Sequence, residues 1–542
     1  MPILSQVRSG RGGLEGRPTP QPGSRGGNQE VGRLARWLFP SIGAFTSLLI
    51  LYLLLISAWR FLLDSDTGWH IRNGGLILET GVVPRADPFS FTMEGKPWFA
   101  WEWMADLLMA LAHQYAGLAG VVGGAIVVLL LAYGLLNQVM IARGSDPFLA
   151  SGLTLFAAAC GIVHWLARPH VFSILFLIVW TILVESFRRQ RRYWIFLTPL
   201  LVALWANIHG GFSIIFPLLL VYLLGELGEM VWNGERSLAR FRLPLLTYGA
   251  TGVLSVLAAL LTPYGTGLYR HIWRFLNDRE LLSSVQEFQS PNFHLLDGRL
   301  IEVLLLLGML ATFLALREKQ LVEPGLFLLW AHLTLQSERH VTLAAVVIIP
   351  MVAGQFSRFL AGLAAQGAER EWRGQHALLA IRDWYSGIIR IDRQMTGAVV
   401  HLAAVLFVVG LTGSVWADKL LSPRFSPTKF PVAACDFIES ASLVGNGYAH
   451  DQFGGYLIYR LWPGRKVFVD GRGDFYRQGS ILSDMEKVTL VSPEWATKLD
   501  QYEIQWLLLR RDEPLVQISL MSGRWRKVYE DPVAQVLVRD GL

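Results

Sequence analysis

The chemistry-bearing residues are densest between Phe61 and Trp103. This stretch reads Asp64-Ser65-Asp66-Thr67-Gly68-Trp69-His70-Ile71-Arg72, then Arg85-Ala86-Asp87-Pro88, then Trp98-Phe99-Ala100-Trp101-Glu102-Trp103. A carboxylate can take a proton from an attacking hydroxyl, and arginines and histidines can neutralise a departing phosphate, Arg through its bidentate fork. The same residue types recur at Arg168-Pro169-His170, at His209, at Arg270, His271, Arg274, Glu287 and Asp297 of the long 263–299 segment, and at Glu338-Arg339-His340. Together they suit transfer chemistry at a phosphate-linked substrate. Asp64, Asp66 and Glu102 are candidate acids, and Arg72, Arg168, His170 and Arg339 are candidates to line a phosphate site. His209 and His340 are further candidate substrate contacts. Connections longer than about 12–15 residues are usually functional or disordered, and the Trp and Phe content here argues against disorder.

The elements that must position these residues follow from composition. With 542 residues, 53% hydrophobic, 20 Trp and 29 Phe, the chain reads as a multi-pass membrane protein. Cys160 and Cys435 lie in unlike contexts and support neither a disulfide nor a cysteine metal site. The net charge of +6 records which loops face the cytoplasm, so no nucleic-acid partner is expected. Residues 1–37 are rich in Gly, Pro and Arg and read as a disordered cytoplasmic tail.

An apolar run from about 37 to 63 is the first expected span, which delivers Asp64 and Asp66 to the outer face. Residues 100–116 hold Glu102, Asp106 and His113 and suit an interfacial helix, with the next span at 118–141. Further spans are expected near 147–167, 170–187, 193–208, 211–232, 244–262, 300–316, 322–337, 341–358 and 396–417, about eleven in all. Positive charge supports the alternation, with Arg143, Arg188 to Arg192, Arg236 to Arg242, Arg317, Lys319, Arg358, Arg370 and Arg373 at the expected cytoplasmic ends. Residues 375–391 read as a helix on the inner surface. An odd count leaves 418–542 outside. Its strand-like runs at 466–470 and 505–509, between helical patterns near 429–440, 476–489 and 493–500, indicate a small α/β domain. The expected architecture is therefore an α-helical polytopic membrane domain (38–417, first outer loop 64–117) with a C-terminal extracytoplasmic α/β domain. On this topology nearly all the unusual polar groups gather on one side.

The segment Asp66-x-x-Trp69-His70-x-Arg72, followed by Gly81, Pro84 and Asp87, resembles the first outer loop of GT-C superfamily membrane glycosyltransferases, oligosaccharyltransferase catalytic subunits among them. The resemblance implies a GT-C-like fold in the bacterial inner membrane and a polyprenyl-phosphate-linked sugar donor, with membrane lipids as the other partner. It implies Asp66 as the catalytic or metal-contacting acid and Trp69, His70, Arg72 and Asp87 as loop-organising or substrate-binding residues. No Trp-Trp-Asp signature is found in the 418–542 segment, and Arg168 and His170 stand where oligosaccharyltransferases carry acids. A monosaccharide transferase is therefore the better fit. The cofactor is left open: a divalent metal would lack a second acidic motif, and no metal ligand is assigned. Uncharacterised bacterial GT-C-like proteins are also similar, through Gly454-Gly455-Tyr456-Leu457 and Val467-Phe468-Val469-Asp470-Gly471-Arg472.

Two other classes compete. A transporter or flippase for a lipid-linked or anionic solute would carry polar residues through to the inner face. A non-catalytic assembly scaffold would place the function in 418–542. Bland roles also compete at single residues: Asp66 as a helix cap, Asp87-Pro88 as a turn, Glu102 within a tryptophan belt, His209 as a packed histidine.

Overall fold

The computed structural model describes residues 32–368, 375–395 and 397–541. Most of the tail expected at 1–37 lies outside them, as do Arg370 and Arg373; Arg33–Leu38 is a short helix. Each of the eleven expected spans is built around a helix: α1 (Ile42–Ile56), α3 (Trp103–Ala142), α4 (Pro147–Cys160), α5 (His170–Gln190), α6 (Thr198–Ala206), α7 (Ile215–Trp232), α8 (Leu238–Ala258), α10 (Leu296–Arg317), α11 (Val322–Gln336), α12 (Val341–Ala368) and α14 (Ala398–Thr412). Between them lie α2 (Asp66–Thr80), α9 (Gly267–Asn277) and α13 (Gln375–Asp392). Among the described residues, seven helical segments are long and apolar enough to cross a membrane, and three shorter helices are also apolar.

Local sequence explains the two sharpest turns near the site. The helix α2 ends at Gly81, whose φ of 67° is left-handed and favours glycine. In α3 the helical path breaks at Ala116 and at Gly117, φ 57°. That break separates the interfacial piece expected at 100–116 from the span that follows it. Gly74 lets α2 lie flat on this piece, because a Cβ there would overlap the Asp106 carbonyl.

Loop contacts define the two ends of the bundle. The α4–α5 and α6–α7 turns meet the 64–103 loop at one end, and the α11–α12 turn joins them there through the 287–289 segment. Charges are not confined to it, which corrects the expected one-sided crowding. At the other end Arg188, on α5, binds Glu323 of α11 at 2.8 Å and Glu229 of α7 at 3.0 Å, and Arg191 binds Glu226 at 2.5 Å. Tyr222 donates to Glu185 and Tyr248 to Glu226. These bonds tie α5, α7, α8 and α11 together around a cavity of about 600 Å³.

The C-terminal segment adds α15 (Val432–Ser440), α16 (Gly454–Leu461), α17 (Ile481–Thr489), α18 (Trp495–Gln501), α19 (Pro514–Met521) and strands β1 (Asn446–Ala449), β2 (Ile504–Arg510), β3 (Trp525–Glu530) and β4 (Ala534–Arg539). The sheet order is β1-β2-β4-β3, with β1 and β2 parallel and the other pairs antiparallel. The 505–509 run lies in β2. The 466–470 run does not join the sheet: Val467 bridges Ser90 of the first loop, with Val467 N–H donating to the Phe89 carbonyl at 3.0 Å. Its backbone partners come from another part of the chain, which no local pattern encodes.

Candidate active site

The first acid pair is built by the approach to α2. Asp64 accepts the Asp66 N–H at 2.9 Å, so Asp64 serves the start of the helix and the Asp66 carboxylate is left free of that duty. Arg168 arrives from the α4–α5 turn, which is pinned by the Ala167 N–H on the Phe61 carbonyl and by the Thr67 hydroxyl on the Ala167 carbonyl. Its guanidinium forks between the acids, 2.8 Å from Asp64 Oδ2 and 3.1 Å from Asp66 Oδ2. Glu287 stands 3.9 Å from Arg168 and 3.9 Å from Arg339, so the two cations flank one carboxylate. Arg339 also lies over the Phe288 ring at 5.0 Å.

Electrostatics separates the two aspartates. Burial would raise Asp64, but Arg168, the Asp66 amide and Lys429 outweigh it and hold its carboxyl below the usual range. Burial and then the neighbouring Asp64 charge push Asp66 up to about 7, against the pull of Arg168. One acid is thus kept ionised beside another poised to exchange a proton. Burial also opposes ionisation of Glu287, yet Arg339 and Arg168 hold it low.

A second network adjoins the first. His70 Nδ1 lies 2.5 Å from Asp106 Oδ1, while Asn73 donates to Asp106 Oδ2 at 2.6 Å. His70 Nε2 faces Glu102 at 4.0 Å, and Glu102 faces His209 Nε2 at 3.7 Å. His209 Nδ1 pairs with the Ser173 hydroxyl at 2.7 Å and accepts the Gly211 N–H. Burial pulls His70 down to about 3 and His209 well below its ordinary value, so both imidazoles are neutral. Burial pushes Glu102 up to about 7, only partly offset by its neighbours. Trp69 is buried and covers His70, with ring centroids 3.7 Å apart.

Other sequence-assigned residues stand apart from the acid pair. Arg72 turns to the C-terminal domain, donating from Nε and Nη2 to the Tyr459 carbonyl. Asp87 is buried in its own turn, accepting from the Phe89 and Ser90 amides and binding Arg472 at 2.9 Å. His170 Nε2 donates to the His164 carbonyl and His340 Nδ1 to the Leu333 carbonyl, so each has one ring nitrogen committed to backbone. Asp106 and Lys429 have no site role in the sequence reading, and Glu287 enters it only as one polar residue of the 263–299 segment. For Glu287 no local signal distinguishes it. For Asp106 the placement four residues beyond Glu102 on an interfacial helix was the available cue. Among the described residues no group of three His, Cys, Asp or Glu side chains is placed to hold a metal ion. The position between Asp64 and Asp66 is taken by the Arg168 guanidinium. The residues present do not fit a two-acid metal site.

No protein-family model matches the chain, and no curated protein matches it by sequence. Among solved structures it is similar to the apo oligosaccharyltransferase of Archaeoglobus fulgidus, with TM-score 0.48 and 12% identity over 86% of this chain and 69% of that one. It is also similar to ArnT from Cupriavidus metallidurans in the apo state, with TM-score 0.45 and 14% identity over 90% and 97%. The same ArnT bound to undecaprenyl phosphate gives TM-score 0.44 and 13% identity over 92% and 97%.

Proposed function

We propose that the protein is a membrane glycosyltransferase of the GT-C type, moving a sugar from a polyprenyl-phosphate donor to an acceptor at the outer face of a bacterial inner membrane. The observation that carries this reading is the shared fork of Arg168 on two acids of opposite tendency, Asp64 held ionised and Asp66 pushed up to about 7. Asp66 takes the proton from the acceptor hydroxyl or amine as the new bond forms at the anomeric carbon. The bond from that carbon to the phosphate oxygen breaks, and polyprenyl phosphate leaves with the electron pair. Arg168 and Arg339 neutralise the departing phosphate, Arg168 exchanging its carboxylate contacts for the new anion. Glu102, between two neutral imidazoles, supplies a second carboxyl able to hold a proton near pH 7.

The test uses the protein purified in nanodiscs with a panel of undecaprenyl-phosphate-linked monosaccharides and a bacterial envelope lipid extract as acceptor. Release of undecaprenyl phosphate is measured for the parent and for Asp66→Asn. Consumption of at least one donor by the parent, with loss in the variant at unchanged protein level, is expected. Full activity in the variant, or no donor consumed by the parent, overturns the proposal.

A further inference from the structure

The short segment carrying both acids is held from the C-terminal domain at several points. Lys429 Nζ donates to the Leu63 carbonyl at 2.6 Å. Gly455 lies so close to the Ser65 carbonyl that a Cβ would overlap it, and Gly68 packs as closely on the Gly455 carbonyl. Arg72 closes the contact on Tyr459.

The tightest approach is at Gly471. A Cβ built there would lie 2.8 Å from the Asp66 Cγ and 3.0 Å from its Oδ2, and closer still to Oδ1. Gly471 is not among the residues with positive φ, so its backbone does not demand glycine; space does. Its flanks are fixed. Arg472 is clamped by Asp470 at 2.7 and 2.6 Å, Tyr476 donates to Asp470 at 2.7 Å, and Asp470 and Arg472 are both buried. Arg472 also binds Asp87 at 2.9 Å and sits 4.5 Å from the Trp98 ring centroid. With both neighbours locked, the loop cannot retreat from an added methyl.

We infer that Gly471 is a positioning residue for Asp66, a gap in the wall supplied by the C-terminal domain that lets the carboxylate lie against the loop and face Arg168. The inference rests on the reading of Asp66 as the reacting carboxylate. It gives the Asp-Gly-Arg run of the C-terminal domain a role in the site that neither half of the chain could perform alone. In the present pose Asp66 Oδ2 stands 3.1 Å from Arg168 while Oδ1 lies against Gly471, so a methyl at Gly471 displaces the carboxylate from the pose that sets it on the guanidinium. The charged groups facing Asp66 are Asp64 on its own segment, Arg168 from the α4–α5 turn and Asp470 from the C-terminal domain.

The experiment reads the protonation of Asp66 directly, by carbodiimide labelling and peptide mass spectrometry across pH, in full-length protein in nanodiscs. In Gly471→Ala the labelling midpoint is expected to move by about one pH unit as the carboxylate leaves its pose against Arg168. In Gly473→Ala, on the same loop but facing only the flexible tip of Leu281, it is expected to stay with the parent. An unchanged midpoint in Gly471→Ala overturns the inference. Melting temperature supplies a second arm. Gly471→Ala should cost far less in an Asp66→Ala background, where the clashing carboxylate is gone. Equal cost in both backgrounds, or a failure of Gly471→Ala to fold in either, also overturns it. If the midpoint shifts while Asp66→Asn retains full transfer, the positioning stands and the transferase reading fails.

Discussion

His70 Nδ1 and Asp106 Oδ1 lie 2.5 Å apart with side chains only 0% and 1% exposed, a histidine and an acid joined across two helices. Burial keeps the imidazole neutral and also raises the Asp106 carboxyl well above its ordinary value, so one proton is shared between Nδ1 and Oδ1 while Nε2 faces Glu102. Removing the ring leaves the Asp106 oxygen without its hydrogen-bond partner in a buried place. His70→Ala is therefore expected to destabilise the protein by about 2–4 kcal/mol, seen as a lower melting temperature in detergent. His70→Gln, which restores a donor, should recover part of the loss.

Activity should depend on pH through the raised carboxyls. A base must be ionised to act, so kcat/KM is expected to climb through pH 7 as Asp66 loses its proton. Stability runs the other way. Asp66 and Glu102 hold their protons more tightly in the fold than in the unfolded chain, so their contribution is complete below about pH 4 and is lost as pH rises through 7. His70 contributes above pH 6.5 and loses that contribution as pH falls toward 3. Measuring melting temperature against pH for the parent and for Asp66→Asn should show the gap between them changing between pH 4 and 7 and constant above. A constant gap throughout contradicts a raised Asp66.

Arg168 is asked to span two acids and then an anion, which needs a planar fork. Arg168→Lys keeps the charge but presents a point donor, and turnover is expected to fall about tenfold or more with weaker retention of undecaprenyl phosphate. Native mass spectrometry of the purified variant with added undecaprenyl phosphate measures the second effect apart from the first. Equal turnover and retention in the variant would remove the fork from the mechanism.

Arg472 is paired with Asp470 and Asp87 and packed among Trp69, Phe89, Trp98 and Phe475. Arg472→Ala strands two buried carboxylates, and a loss of about 3–5 kcal/mol is expected. The readout is melting together with protease sensitivity in the 84–98 turn, which this arginine anchors. A variant as stable as the parent would show that the buried pair is dispensable.

The eleven apolar runs and the break before residue 118 were legible because hydrophobic length and a glycine at the kink are local properties. So was the gathering of Asp64, Asp66, Glu102, Arg168, His209 and Arg339 at one end, which follows from counting helices. The acids at the opposite end were harder to see: Glu185, Glu226 and Glu323 lie near the ends of apolar runs, where charge is ordinary, although the Glu185–Arg188–Arg189 spacing does mark a helical ion pair. The destinations of Arg72 and Asp87 were not legible. Their partners, Tyr459 and Arg472, lie some hundreds of residues away, and only the docking of the C-terminal domain brings them near.

The Thr92 hydroxyl donates to the Phe468 carbonyl across 376 residues of chain. At about 5–20 residues per second, ribosomes need roughly 20–75 s to add that much polypeptide. The first loop is therefore made long before its clasp exists, and the Asp66 pocket is completed only when the last domain emerges. Early release of the nascent chain would yield an inserted bundle with an unfinished mouth.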